Sequence, residues 1–158
     1  MSKIPKDSER KTSLNFQKRL IELINEQDLS NAEFCEQAKI SYPVISRATI
    51  YSIIPSTKML IKLADFFDIP LKYLLGESND PTFYKSESPA SFSERLCQLA
   101  DEKDVKFSEI SHKMPFAYSY FYDWIRTNSI PSLENLEALA DYFQVSLDYL
   151  TGRTDYKD

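Results

Sequence analysis

The segment PSTKMLIKLADFFDIPLKYLLG, residues 55–76, returns as PSLENLEALADYFQVSLDYLTG, residues 131–152. Carried backward without a gap, the same shift of about 76 residues aligns Phe16 with Phe92, Arg19 with Arg95, Leu20 with Leu96, Leu23 with Leu99, Asp28 with Asp104 and Glu33 with Glu109. Roughly twenty of about 65 aligned positions are identical, mostly apolar ones and the Pro-Ser and Gly punctuation. Chance identities scatter, so this pattern describes a tandem duplication. A unit of about 65 residues is large enough to fold alone, so the chain is expected to form two small domains rather than one.

Each copy carries the same helix signals. Ser13 stands where it can cap a first helix whose apolar positions Phe16, Leu20, Leu23 and Ile24 share a face. In the second copy Ser91 and Glu94 form an S-x-x-E capping box ahead of Leu96 and Leu99. A second helix begins at Ser30 with Glu33 as its capping partner, while its counterpart around Phe107 lacks that cap. A third starts near Ser41 or Ala117. The fourth is capped by Ser56 or Ser132, and a short fifth starts at Pro70 or Ser146 and ends before Gly76 or Gly152, where a left-handed residue is wanted. The chain has only two glycines, and both stand at this point.

Boundaries follow from composition. Residues 1–13 read as an N-terminal arm, 14–76 as the first domain, 77–90 (ESNDPTFYKSESPA) as a polar linker and 91–154 as the second domain. A free linker of that length spans at most about 46 Å extended, or about 20 Å as a coil.

The formal charge of −5 counts against indiscriminate binding to a polyanion. Residues 1–80 hold 11 Lys and Arg against 11 Asp and Glu, so the whole deficit lies in the second half. No apolar run approaches the roughly 18 residues of a membrane span, and the first residues have no apolar core for a signal peptide, so a cytoplasmic protein is expected. Cys35 and Cys97 lack the Cys and His neighbours of a zinc site and read as reduced thiols. The single histidine, His112, reads as a surface residue. No catalytic motif, metal site or cofactor site is expected, and the chain does not read as an enzyme.

Five short helices, the second and third separated by three or four residues, are the plan of a helix-turn-helix domain. The segments LSNAEFCEQAKISYPVISR, PSTKMLIKLADFFDIPLKYLLG and YFYDWIRTNSIPSLENLEALADYFQVSLDYLTGRTD resemble the Cro/repressor (XRE) family of helix-turn-helix proteins. The resemblance implies an all-α fold of two tandem five-helix, lambda-repressor-like domains, and double-stranded DNA as the partner.

It also implies roles. The second helix presents its N-terminus and a polar residue to phosphate, and the third lies in the major groove. In the first copy the matching positions are Asn31 and Ser41 for phosphate, and Tyr42, Pro43, Ser46 and Arg47 for the groove. Arg47 is the best single candidate, because a guanidinium bonds guanine O6 and N7 bidentately. Ile45 and Ala48 face inward. In the second copy the groove positions are Tyr118, Ser119, Tyr122 and Asp123, with Phe121 and Trp124 inward. There the phosphate positions are Phe107 and Ala117, and Arg126 and Asn128 resemble backbone contacts.

Both copies depart from the family pattern. The glycine usual between helices two and three is Lys39 in one and Pro115 in the other. In ATIYSIIPS, Ile50, Tyr51, Ile53 and Ile54 replace groups that would bond phosphate, and the loop reads as buried interface. The leading expectation is therefore a sequence-specific transcriptional regulator. The alternative is an interaction module that has lost DNA contacts in one or both domains and forms a homodimer, or holds a protein partner, through the second domain and the Ile50–Ile54 loop.

Overall fold

The structure, a computed structural model, describes residues 11–158; the first ten residues of the expected arm lie outside the described residues. The chain divides into two compact units between Thr82 and Phe83. The first unit holds α1 (Leu14–Glu26), α2 (Asn31–Ala38), α3 (Tyr42–Tyr51), α4 (Thr57–Phe67) and α5 (Leu71–Leu74). The second holds α6 (Phe92–Lys103), α7 (Phe107–Ser111), α8 (Ser119–Thr127), α9 (Leu133–Phe143) and α10 (Leu147–Leu150). Both are all-helical among the described residues, apart from one antiparallel β-bridge between Thr12 and Ile53.

Caps set the helix starts. Ser13 accepts from the Phe16 N–H, Ser56 from Met59 and Ser132 from Asn135, each removing an orphan donor of a first turn. Ser30 with Glu33 and Ser91 with Glu94 close reciprocal boxes. At α7 only half a box forms: the Glu109 carboxylate accepts from the Lys106 N–H at 3.3 Å. The apolar faces between these caps bury Phe16, Leu20, Ile45, Leu60, Leu63 and Leu74 in one core, and Phe92, Leu96, Ile110, Phe121, Leu136 and Leu150 in the other. Each such side chain contributes roughly 1.5–3 kcal/mol on burial.

Left-handed residues recur at the repeat shift. Asp28 and Asp104, Ser52 and Asn128, Asp68 and Gln144, and Gly76 and Gly152 all have positive φ, between 52° and 77°. Glycine is required at the last pair. A Cβ on Gly76 would lie 2.6 Å from the Asn15 carbonyl oxygen, and one on Gly152 would lie 1.8 Å from that of Ala90.

The series breaks at one place. Lys39 takes φ 57° at the end of α2, where its N–H donates to the Cys35 carbonyl. The aligned residue, Pro115, has no N–H and a φ fixed near −65°. It cannot make that cap. Accordingly α2 runs eight residues and is followed by a three-residue turn, whereas α7 stops after five and α8 starts at Ser119.

The expected linker is not uniform. Arg19 of α1 donates to the Tyr73 and Ser78 carbonyls at 2.6 and 3.1 Å and to the Asn79 side chain. In the second unit Arg95 donates to the Thr154 carbonyl and to Asp155. On the other side of the segment, the Tyr84 carbonyl accepts from the Thr154 hydroxyl, and the Ser86 N–H donates to the Arg153 carbonyl. The Phe83 ring lies 4.3 Å under the Arg153 guanidinium. Only residues 80–82 stand between Asn79 and Phe83.

Candidate nucleic-acid interface

The turn between α2 and α3 is built from Lys39, Ile40 and Ser41. Ile40 is buried and its N–H donates to the Cys35 carbonyl, while the Lys62 ammonium of α4 donates to the Lys39 carbonyl at 2.5 Å. These bonds fix the angle at which α3 leaves the turn. Pro43 fits the first turn of α3, where its missing N–H is not needed. Ile45 and Ala48 point into the core with no exposed surface, and the Gln17 amide of α1 donates to the Thr49 carbonyl at 2.7 Å. That packing orients the opposite face outward.

On that face Tyr42, Pro43 and Arg47 are exposed and Ser46 is half-buried. Ser41 is the exposed N-cap residue but makes no side-chain cap bond. Asn31 is half-buried at the first position of α2. Among the described residues none of these six side chains has a hydrogen-bond or ion-pair partner. Among the described residues Arg47 in particular pairs with no carboxylate, and its backbone carbonyl accepts at the α3 C-cap.

The corresponding face of the second unit is arranged differently. Phe121 and Trp124 are buried, and Phe107 stacks flat on Phe121 at 4.7 Å, so this aromatic belongs to the core packing. Tyr118, Tyr120 and Tyr122 are 40%, 44% and 57% exposed, as are Ser119, Asp123, Arg126 and Asn128. Here the polar groups satisfy one another. The Tyr118 and Tyr122 hydroxyls are 2.7 Å apart, and that bond raises the Tyr118 phenol above its ordinary range. The Arg126 guanidinium meets Asp123 at 3.2 Å. Asn128 is the left-handed cap of α8.

The segment Ile50–Ile54 is not a buried loop. Ile50 and Tyr51 form the last turn of α3 and are 61% and 65% exposed. Ile53 and Ile54 are half-buried and pair with residues 11–13: Ile54 N–H donates to the Lys11 carbonyl at 2.8 Å, and Ser13 N–H to the Ser52 carbonyl at 2.9 Å. This pairing brings Lys11 to the rim of an open groove of about 430 Å³ that also holds Arg47. Lys11 carries no motif in the sequence. The only hint of it was the missing polar groups of the neighbouring loop.

Cys35 is buried and Cys97 half-buried; both are free thiols, raised above their ordinary range chiefly by burial. His112 is exposed at the end of α7. The described residues hold no group of three His, Cys, Asp or Glu able to bind a metal, and no helix long and apolar enough to cross a membrane.

Residues 20–74 match the family model described as helix-turn-helix, from the middle of α1 to the end of α5. Residues 20–74 of the first unit are thus similar to helix-turn-helix domains. No curated protein and no solved structure matches the chain.

Proposed function

We propose that the protein is a sequence-specific regulator that binds double-stranded DNA and acts in the cytoplasm by occupying an operator, with α3 of the first unit as the reading helix. One observation supports this best: the outward polar side chains of α3 are open, whereas those of α8 bond to each other. In this reading Asn31 and Ser41 face phosphate, and Tyr42, Pro43 and Ser46 line the major groove. Arg47 bonds a guanine. A free guanidinium on a helix held rigid from behind loses little on binding, because it has no internal partner to give up.

For the second unit the exposed tyrosines favour a different role. Aromatic side chains with a polar tip are enriched in interface hot spots, and Tyr118, Tyr120 and Tyr122 stand together on α8. The Asp123 carboxylate repels phosphate and holds Arg126 beside it. We assign this face, with the exposed Ile50 and Tyr51 as a second patch, to association between chains or with a protein partner.

The test is selection of duplexes from a randomised pool by the intact chain, followed by sequencing. Enrichment of one motif supports the DNA reading. A pool that stays random after repeated rounds contradicts it.

A further inference from the structure

We propose that the groove between α3 and the start of α4 holds one nucleotide of the DNA strand, with Lys11 as a phosphate contact that the β-bridge delivers. This rests on the DNA reading above and adds a residue outside the helix-turn-helix. Among the described residues the groove is lined by the cations Lys11 and Arg47, by the apolar Val44, Ile53 and Met59, and by Ser56. Such a surface is complementary to a sugar-phosphate unit, which presents an anion beside an apolar sugar edge. Arg47 reaches the groove from the reading face of α3, so a strand read by that helix passes over Lys11.

The backbone explains why a lysine is needed there. The stretch 50–54 carries no cation, and the Ile54 N–H is already engaged by the Lys11 carbonyl. That amide cannot then hold a phosphate, and the polar side chains of the stretch, Tyr51 and Ser52, carry no charge. The same bond that removes the amide fixes residue 11 against the loop. The missing charge is restored from a segment about 40 residues away in sequence, which no local motif records.

The experiment titrates the intact protein against a duplex of about 20 base pairs taken from the selected pool, over a range of salt concentrations. Lys11→Gln is expected to weaken binding about fivefold at about 0.1 M salt, for all sequences alike, and to lower the slope of log K against log salt by about 0.9. Lys11→Arg should keep the wild-type slope. Thermal melts of both variants control for folding. Unchanged affinity and slope in Lys11→Gln would overturn the assignment while leaving the DNA reading intact. Weaker binding with an unchanged slope would overturn it too, since that is a structural effect. If the wild type enriches no duplex, the assignment falls together with the DNA reading.

Discussion

The guanidinium of Arg19 lies 3.8 Å from the centroid of the Tyr73 ring, while donating to the carbonyl of that same tyrosine. In the second unit Arg95 lies 4.1 Å from the ring of Tyr149, at the same repeat spacing. Each arginine joins the first helix of its unit to the fifth helix and the tail beyond it. Arg95 is 8% exposed and its side chain is almost fully engaged, with only Nε lacking a partner. Arg19→Ala and Arg95→Ala should each destabilise their unit by about 2 kcal/mol, from a lost cation–π contact and exposed or orphaned carbonyls. Urea denaturation checks this. A loss below about 0.5 kcal/mol would mean the tails hold without the arginine.

Lys39 occupies the left-handed region at a cost that glycine does not bear, of about 1–2 kcal/mol before the extra freedom of unfolded glycine is counted. Lys39→Gly should therefore stabilise the first unit by about 0.5–1 kcal/mol, seen as a higher denaturation midpoint. Pro115→Gly has no such expectation, because α7 has already ended at Ser111.

Much of this fold was legible from the residues. The Ser caps at 13, 56 and 132 and the periodic leucines of α4 and α9 are local signals, and each decides its own element. The arginine anchors were visible only as identities, since a side chain bonding carbonyls about 55 residues away leaves no periodicity. The Thr12–Ile53 bridge was hidden for the same reason. The stretch 83–86 lies in a segment that reads as linker by its Ser, Pro and charge content, yet its backbone groups bond to the C-terminal tail.

The tyrosine face of α8 separates packing from association. Trp124→Ala should cost the second unit about 3–5 kcal/mol, because it removes a buried ring in contact with Phe92, Phe116 and Phe121. Tyr122→Ala should change stability by under about 1 kcal/mol, since the side chain is exposed. If this face joins chains, sedimentation of the full-length Tyr122→Ala protein will shift toward the monomer. An identical sedimentation profile, self-associated or not, would remove this face from self-association.

Glu33 gives a pH dependence. Its carboxyl is held below the ordinary 4.5, first by the Ser30 backbone N–H and then by the Ser30 side chain. A folded-state value below the unfolded one means the contribution is fully present above the ordinary carboxylate range and is lost as pH falls through the depressed value. As pH falls below the ordinary carboxylate range the wild type should lose more stability than Glu33→Gln. Equal losses in acid titrations monitored by circular dichroism would show that the box does not respond to this proton.

The central claim is that α3 of the first unit reads DNA and α8 of the second does not. The most direct measurement is a binding titration of the intact chain on its selected duplex and on single-base variants of it, comparing Arg47→Ala with the double variant Asp123→Ala, Arg126→Ala. The account predicts that Arg47→Ala loses about 1–3 kcal/mol and relaxes preference at one base pair, while the double variant keeps wild-type specificity. Unchanged affinity and specificity for Arg47→Ala, with loss of specificity in the double variant, would contradict it.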